Sequence, residues 1–316
     1  MYIHAIVLST IVMRKGDKSM RFCFIIEEQY RYDPMPMIVA DQLLEWGHTV
    51  TLLEPGEMVT CLTNMREQDH DAYVLKSIAR GPGLSILEAA EAIGIPTINS
   101  SRAIRMVRDK AVAVAYACSN GLPIPPTYFV SRPHLLKQIP PKDYPLVVKP
   151  GHGNSSQGIH LIESSEKLAD LQMAETDDGF FLAQRYMENP GFDLKIYVIG
   201  REVCATIAKK SPLHATIDEE SIAPTREIRK LALDIGNIFG LEIYGIDVVE
   251  TPQGLVLLDI NDFPSFGGVP SAAIRVSEHI LDSVKRAKRQ RAVLIEHNNN
   301  TLHHKPILKR AIAKRE

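Results

Sequence analysis

The most informative segment of the chain is residues 242–261, which read EIYGIDVVETPQGLVLLDIN. Two apolar runs flank a Thr-Pro-Gln-Gly turn, and this pattern predicts an antiparallel hairpin. Side chains two residues apart on a strand point to one face, so Asp259 and Asn261 project together and Asp247 can face them from the partner strand. Asp and Asn are uncommon in strands, which favours metal ligation over simple solvent exposure. Three oxygen ligands in an open arrangement suit Mg2+, with Mn2+ as the alternative.

A glycine- and serine-rich loop follows a predicted strand at residues 147–159, VVKPGHGNSSQGI. Glycines let backbone N–H groups approach phosphate oxygens, and a lysine delivered by the strand neutralises charge on the same group. The segment matches no Walker A pattern, and a flexible hairpin loop is the alternative. The candidate phosphate-binding residues are Lys149, Gly153, Ser155, Ser156 and Gly158.

A third segment, residues 181–198, reads FLAQRYMENPGFDLKIYV and predicts a strand that runs into a turn. Such a turn can form a hinge beside a nucleotide. Backbone groups at residues 185–187 would then bond the adenine ring, and Glu188 would hold the ribose hydroxyls. An edge strand followed by an ordinary turn is the alternative.

Strands and helices alternate upstream of these segments. Short apolar runs at 21–27, 49–54, 72–76 and 95–99 predict buried strands, and segments of helical periodicity separate them. This β-α-β order predicts a small open parallel sheet. No Gly-x-Gly-x-x-Gly turn joins a strand to a helix here, which disfavours a nicotinamide site.

Domain boundaries follow from the change in pattern along the chain. Residues 101–121 predict one helix that is capped by Ser100 or Ser101, and the LPIPP run at 122–126 ends it and marks a boundary. Beyond it the sequence is strand-rich to residue 210, with helices predicted at 225–240 and 269–288. The predicted organisation is an extension at 1–19, an α/β domain at 20–100, a domain at 101–284 with lobes at about 127–187 and 188–284, and a basic, partly disordered tail at 285–316.

Composition limits the class of protein. The chain has 316 residues, 45% of them hydrophobic and 23% charged, and its net charge of -2 gives no general attraction to nucleic acid or to membranes. Four cysteines lack CxxC spacing, which favours buried free thiols in a reducing cytoplasm over zinc sites or disulfides. Residues 3–13 are apolar, but no basic residue precedes them and they are too short to span a bilayer.

Residues 101–282 resemble the ATP-grasp superfamily, and within it the RimK-like carboxylate–amine ligases. The matching segments, in the family's order, are RDK at 108–110, PLVVKP at 145–150, the glycine- and serine-rich loop, AQRYM at 183–187, DLKIYVIG at 193–200, YGIDVVE at 244–250 and DINDFPSFGG at 259–268. The resemblance implies an α/β fold of the α+β ATP-grasp type. In that fold an N-terminal parallel βαβ lobe, on the substrate side, precedes two strand-rich lobes that clamp ATP.

The resemblance also implies roles for single residues. Lys110 and Lys149 look like the two lysines that bind ATP phosphates, while Lys195 and Lys209 occupy positions of basic residues that face the γ-phosphate or the substrate. The adenine and ribose segment would be Gln184, Tyr186, Met187 and Glu188, and the Mg2+ ligands would be Asp247, Asp259 and Asn261. Surface lysines with stems along apolar surface are the alternative for the cations.

Two departures from the family bear on the substrate. Asp259 stands where the family usually has Glu, which shortens the reach but keeps a carboxylate. Residues 209–221, KKSPLHATIDEES, replace the Arg-x-Asn and Gly-Gly segment that helps the family bind its carboxylate substrate. The identity of the acceptor is therefore open.

Two activities remain open from the sequence. The first is an ATP-dependent ligase that phosphorylates a small-molecule or peptide carboxylate and joins it to an amine. The second is a kinase of the inositol-phosphate type, whose acidic acceptor would need a basic pocket formed by Arg185, Lys195, Lys209, Lys210 and His214. A non-catalytic nucleotide-binding module is a third alternative, disfavoured because the metal ligands are present. The assembly state is also open, with a homo-oligomer as one alternative.

Overall fold

The computed structural model describes residues 18–76, 81–151, 158–170, 179–210 and 220–303. For residues 169–170, 205–210 and 294–303 it describes the backbone alone. The α-helices are α1 Pro34–Glu45, α2 Pro82–Ala92, α3 Ser101–Arg108, α4 Lys110–Ser119, α5 Arg226–Phe239 and α6 Ala272–His303. The strands are β1 Arg21–Ile26, β2 Thr49–Leu53, β3 Ala72–Lys76, β4 Thr97–Ile98, β5 Thr127–Val130, β6 Leu146–Pro150, β7 His160–Ile162, β8 Phe181–Arg185, β9 Phe192–Ile199, β10 Glu202–Lys210, β11 Glu220–Ile222, β12 Ile243–Thr251 and β13 Gly254–Asp262.

The N-terminal part is a parallel sheet with the strand order β2-β1-β3-β4, as the alternating pattern predicts. Strand β1 is buried along almost its whole length, which is typical of a parallel strand covered on both faces. Asp33 caps α1, because its Oδ1 atom accepts a hydrogen bond from the Met35 N–H at 3.0 Å. From β1 the chain adds β2 on one side of the sheet and then β3 and β4 on the other. The carboxyl ends of β1 and β3 therefore border a crevice.

The predicted single helix at 101–121 is wrong, because the chain forms α3 and α4 with a break at Asp109. This residue has an extended backbone conformation and ends α3 while it caps α4. Its Oδ1 atom accepts hydrogen bonds from the Ala111 and Val112 N–H groups, both at 3.1 Å. The break makes Lys110 the first residue of a new helix. Ser100 caps α3, as predicted.

Two antiparallel sheets form the rest of the core. The first has the strand order β5-β8-β6-β7, and the second has the order β11-β10-β9-β12-β13. Both predicted hairpins of the second sheet are confirmed: β9 and β10 are joined at Gly200, whose φ is +62°, and β12 pairs directly with β13. Strand β11 was not predicted; it adds three residues to the edge of this sheet.

The parallel sheet and the five-stranded sheet share one hydrophobic cluster. Phe22 and Phe24 of β1 belong to the same cluster as Tyr197 of β9 and Val276 and Ile280 of α6. Helix α5 packs on the other side of the five-stranded sheet. A separate hydrophobic cluster packs against the β5-β8-β6-β7 sheet. The parallel sheet is therefore joined to the five-stranded sheet by a continuous apolar core.

Helix α6 continues to His303, well past the residue near 288 where the sequence analysis ends it, so the described part of the predicted tail, residues 285–303, has a helical backbone. Within the described parts of the chain, no helix combines the length and the apolar character needed to cross a membrane. All four cysteines are free thiols, but Cys61 and Cys118 are exposed, so the prediction of buried thiols holds fully only for Cys23.

Candidate active site

A cavity of about 580 Å³ lies where the three sheets meet. Its walls include Lys149 of β6, Gln184 of β8, Lys195 of β9, Asp247 of β12 and Asp259 of β13. These residues are far apart in the sequence and belong to five strands. The cavity therefore brings together the three segments from which the sequence predicts nucleotide chemistry.

Three of the predicted site residues form one row across the five-stranded sheet. Lys195 is opposite Asp247 in the register of β9 and β12, and Asp247 is opposite Asp259 in the register of β12 and β13. The Lys195 Nζ atom lies 2.7 Å from Asp247 Oδ1. The prediction that the two aspartates face each other across a hairpin therefore agrees with the geometry.

Asn261 lies one step along the same face of β13. Its Nδ2 atom donates to Asp247 Oδ2 at 3.4 Å, so the amide and the carboxylate are adjacent. Its register partner on β12 is Gly245, which has no side chain to fill the space between the strands. The carboxylates of Asp247 and Asp259 and the amide group of Asn261 thus converge from neighbouring strands, and such oxygen-bearing groups suit a hard divalent cation.

Two further lysines approach the same aspartates from other elements. The Lys110 Nζ atom at the start of α4 lies 3.2 Å from Asp259 Oδ2. The Lys149 Nζ atom donates to the Leu258 carbonyl oxygen at 3.0 Å, next to Asp259 in β13. Both lysines are buried. Lys149 and Lys195 therefore line one end of the cavity, and Lys110 contacts Asp259 from outside its wall.

Burial and charge act in opposite directions on the pKa values of these groups. Burial lowers the pKa of Lys149 to about 8, although the nearby Asp259 opposes the change. Burial alone would raise the pKa of Asp259, but Lys110, Lys149 and Lys195 together hold it below its ordinary value. Burial also opposes the charge on Lys195, yet the ion pair with Asp247 raises its pKa. The lysines and aspartates therefore stabilise one another's charged forms.

The other end of the cavity contains the predicted adenine segment. Gln184 is buried, and its Nε2 atom donates to Thr127 Oγ1 at 3.1 Å. Tyr186 and Met187 also line the cavity. The Arg185 N–H donates to the Pro126 carbonyl and the Tyr186 N–H to the Pro145 carbonyl, so these two N–H groups are not available to an adenine ring. The prediction that backbone groups at 185–187 bond the base therefore concerns groups other than these two N–H donors.

Some predicted residues are placed differently or lie outside the description. Glu188 is exposed and is not part of the cavity wall, whereas its neighbour Asn189 is. Gly158 is exposed, with a φ of +80°, and it also stands outside the wall. The backbone of Lys209 is paired with Asp193 in β10 and β9, but its side chain is not described. Gly153, Ser155, Ser156 and His214 lie outside the described residues.

Sequence reasoning missed a group of polar side chains where the cavity meets the parallel sheet. Lys76, the last residue of β3, lies 3.2 Å from Asp33 Oδ2, and Arg108 Nε lies 2.5 Å from Asp262 Oδ1. Tyr30 also lines this end, with its ring 5.0 Å from the Lys76 Nζ atom. Lys76 ends an apolar strand at the carboxyl edge of a parallel sheet, which was the available signal.

The donor set fits a cation that is bound together with phosphate. Among the described residues, no three His, Cys, Asp or Glu side chains come close enough to hold a metal ion alone. The site instead offers the carboxylates of Asp247 and Asp259 and the amide of Asn261. Such a set leaves coordination positions for phosphate oxygens and water, as Mg2+ prefers. The surrounding lysines supply the charge that a polyphosphate would need.

Comparison with known proteins agrees with this geometry. Residues 107–284 match the family model of the RimK-like ATP-grasp domain. A probable alpha-L-glutamate ligase of Stenotrophomonas maltophilia (strain K279a) is 28% identical over 223 residues, which are 66% of this chain and 75% of that protein. One of Parasynechococcus marenigrum (strain WH8102) is 29% identical over 204 residues, 60% of this chain but only 43% of that protein, so the chain spans less than half of its length.

A solved structure shares the fold. The RimK domain ATP-grasp protein of Sphaerobacter thermophilus DSM 20745 superposes with a TM-score of 0.64 at 18% identity, covering 83% of this chain and 99% of that chain. The family match covers more than half of the chain, and it confirms the fold and the resemblance that the sequence predicts. The chain belongs to the RimK-like ATP-grasp family.

Proposed function

We propose that this protein is an ATP- and Mg2+-dependent carboxylate–amine ligase that forms an amide or peptide bond, acting in the cytoplasm. The observation that carries the proposal is the grouping of three lysines around Asp247 and Asp259: Lys149 and Lys195 line one end of the cavity, and Lys110 contacts Asp259 from just outside its wall. Three cations beside an oxygen-rich cation site are what a triphosphate requires. Family membership and relatives named as ligases support the same reading.

Each part of the cavity has a defined task in this proposal. Gln184, Tyr186 and Met187 would receive the adenine ring, with Asn189 replacing the exposed Glu188 beside the ribose. Lys110 and Lys149 would neutralise phosphate oxygens. Lys195 would break its ion pair with Asp247 and contact the γ-phosphate. A Mg2+ ion held by Asp247, Asp259 and Asn261 would stabilise the charge that develops on the phosphate oxygens.

The reaction requires two transfers. A carboxylate oxygen of the acceptor attacks the γ-phosphorus, the bond from this phosphorus to the bridging oxygen breaks, and ADP leaves. An amine then attacks the acyl carbon, a C–N bond forms, inorganic phosphate leaves and the amine loses a proton. The side chains contribute chiefly by orientation and by charge, not by covalent chemistry.

The relatives suggest the class of substrate. They are named for alpha-L-glutamate, and we therefore propose glutamate as the first amine or acceptor to be tested, with peptides as the second class. The polar end of the cavity near Lys76 and Arg108 would face this substrate. A kinase acting on inositol phosphates is the competing function, and Arg185 on the cavity wall is the observation that favours it.

The products of the reaction distinguish these functions. The protein is incubated with Mg-ATP, a carboxylate and an amine, and in parallel with Mg-ATP and an inositol phosphate. ADP, inorganic phosphate, new amide and phosphorylated inositol phosphate are all quantified. A ligase yields ADP, inorganic phosphate and amide in equal amounts and only when the amine is present. ADP without free phosphate, together with a phosphorylated inositol phosphate, would establish the kinase. Phosphate release that ignores the amine would indicate uncoupled hydrolysis, and the Asp259→Asn variant controls for contaminating ATPases.

A further inference from the structure

Lys76 links the parallel sheet directly to the end of the strand that carries the proposed metal ligands. Its Nζ atom donates to the carbonyl oxygen of Phe263, which follows β13, and it lies 3.2 Å from Asp33 Oδ2. The ammonium group also lies 5.0 Å from the ring centroid of Tyr30 and 5.8 Å from that of Phe263. Only 6% of Lys76 is exposed, so these contacts replace water almost completely.

The carbonyl that Lys76 holds is close to the cation site along the chain. Phe263 is two residues after Asn261, and a two-residue step along a strand is about 7 Å. Phe263 itself has a φ of +43°, so the chain leaves the extended conformation at this residue. The backbone just beyond Asn261 is therefore held in place by a side chain from another domain.

The turn after β13 also packs against the row of proposed ligands. A Cβ atom placed on Gly245 would meet Pro264 side-chain atoms at 3.2 and 3.3 Å and the Lys195 Cε atom at 3.5 Å. Gly245 is the register partner of Asn261. A shift of residues 263–264 would thus move the surface that covers Asn261 and the Lys195 stem.

A second ion pair holds the same turn from the other side. Arg108 at the end of α3 contacts Asp262 at 2.5 Å between Nε and Oδ1, and Asp262 is almost completely buried. Asp33, the partner of Lys76, is itself fixed as the cap of α1. The turn at 262–264 is therefore fixed by α1, β3 and α3 together.

We propose that Lys76 is a positioning residue for the cation site, which holds the turn at 262–264 so that Asn261 faces Asp247 and Asp259. The inference rests on the proposed function, because it assumes that these three residues bind a cation together with ATP. Side chains that orient metal ligands from outside the ligand set commonly change metal affinity by about 10- to 100-fold when they are removed. Lys76 acts here through the backbone that it binds.

Lys288 provides a matched control. Its Nζ atom lies 2.6 Å from Asp71 Oδ1, so it also ties the parallel sheet to another part of the molecule, here α6, but it is not part of the cavity wall. Asp71 keeps a second partner, the Arg21 N–H at 2.8 Å, when Lys288 is removed. Lys76→Met and Lys288→Met therefore each remove one ion pair between the same sheet and its surroundings.

The experiment measures Mn2+ binding to the full chain by electron paramagnetic resonance, in the presence of a non-hydrolysable ATP analogue, with a thermal melt for every variant. Lys76→Met is expected to raise the Kd for Mn2+ about tenfold, while Lys288→Met leaves it unchanged. Lys76→Arg, which can still donate to the Phe263 carbonyl, is expected to recover most of the affinity. If Lys76→Met does not fold, Asp33→Asn replaces it, with an expected rise of about threefold because the charge that orients Lys76 is lost.

Each result decides between the alternatives. An unchanged Mn2+ Kd in Lys76→Met, or in Asp33→Asn where that variant replaces it, overturns the positioning role, and so does an equal loss in Lys288→Met. A lower melting temperature with an unchanged Kd assigns Lys76 a structural role only. Failure of the unaltered protein to bind Mn2+ with the analogue overturns the proposed function together with this inference. Binding by the unaltered protein that the variants do not change overturns the inference alone.

Discussion

The Nζ atom of Lys110, the first residue of α4, lies 3.2 Å from Oδ2 of Asp259 on β13. Asp259 also feels the charges of Lys149 and Lys195, which together lower its pKa despite its burial. Asp259 thus pairs directly with Lys110 and feels the charges of two more lysines, of which Lys195 pairs with Asp247. In the proposed function the same carboxylate binds Mg2+, and the lysines then turn to phosphate oxygens.

Replacement of Asp259 tests this double role. We expect Asp259→Asn to lower ATP turnover by about a thousandfold, because the lost charge stabilisation is several kcal/mol and about 1.4 kcal/mol corresponds to a factor of ten. The fold should be retained, since Asp247 still faces the lysines. The matched control is Asp234→Asn, which removes an exposed ion pair with Lys230. Turnover in Asp259→Asn close to that of the control would contradict the metal assignment.

Replacement of Lys149 tests the phosphate assignment. We expect Lys149→Ala to weaken ATP binding by about 10- to 100-fold, since hydrogen bonds to charged groups contribute about 1.5 to 3 kcal/mol. Isothermal titration calorimetry with ATP measures the change. Lys142→Ala, which removes an exposed lysine shortly before β6, serves as control and should bind ATP normally. Equal affinities in the two variants would leave Lys149 only its contact with the Leu258 carbonyl.

The parts of the site that could be predicted from the sequence are those fixed by local geometry. Asp247 and Asp259 face each other through a β-bulge between Asp247 and Val248, which the sequence does not signal, because the turn alone would place Asp247 opposite Leu258. The hairpin itself could be predicted, since its short turn sets the register of the residues next to it. Gly200 likewise fixed the β9–β10 turn. The lysine partners followed only from the order of family segments, because no local rule brings α4 or β6 to β13.

The parts that could not be predicted depend on how distant elements pack. Lys76 and Phe263 are separated by 187 positions, and their contact exists because the parallel sheet shares a core with the five-stranded sheet. In the adenine segment, the Arg185 and Tyr186 N–H groups donate to prolyl carbonyls from other loops, which no local pattern indicates. The break at Asp109 had a local signal, an Asp before a helical run, but the surrounding helical periodicity concealed it.

The contact between α6 and the start of β12 predicts a dependence of stability on pH. Glu242 Oε2 accepts hydrogen bonds from His279 Nε2 at 2.9 Å and Ser283 Oγ at 2.6 Å, with Arg286 nearby at 3.3 Å. The His279 bond is the main cause that lowers the pKa of Glu242 below its ordinary value of 4.5, against an opposing effect of burial.

A carboxyl group whose pKa is depressed in the folded state stabilises the protein above its unfolded pKa and loses this contribution as the pH falls through the folded value. We therefore expect Glu242→Gln to lower the unfolding free energy near pH 7, and the difference from the unaltered protein to shrink below about pH 4.5. Urea denaturation of the variant and the unaltered protein, near pH 7 and again below about pH 4.5, measures this difference in unfolding free energy. Glu250→Gln, which replaces an exposed glutamate of β12, should show no such change, and a constant difference for Glu242→Gln would contradict the assignment.

Asn99 joins the parallel sheet to the five-stranded sheet through three hydrogen bonds of one side chain. Its Nδ2 atom donates to the Ile243 carbonyl at 2.7 Å, and its Oδ1 atom accepts from the Glu242 and Ile243 N–H groups at 2.7 and 2.9 Å. Asn99 is 1% exposed, so water cannot replace these bonds. Removal of the Asn99 side chain would take this partner from three backbone groups, the N–H of Glu242 and the N–H and carbonyl of Ile243.

We expect Asn99→Ala to lower the free energy of unfolding by about 3 kcal/mol, because a buried polar group without a partner costs about 1 to 3 kcal/mol and three such losses overlap. Urea denaturation near neutral pH measures the change, and the matched control is Asn120→Ala, whose exposed side chain bonds the Tyr116 carbonyl at 2.8 Å. That control should change stability by less than about 0.5 kcal/mol.

Asn99 does not line the cavity, so ATP affinity below the unfolding transition should be unchanged in both variants. Equal stabilities for the two variants would show that the junction of the sheets is held by its apolar core alone. A loss of ATP affinity in Asn99→Ala would show that this junction also sets the geometry of the site.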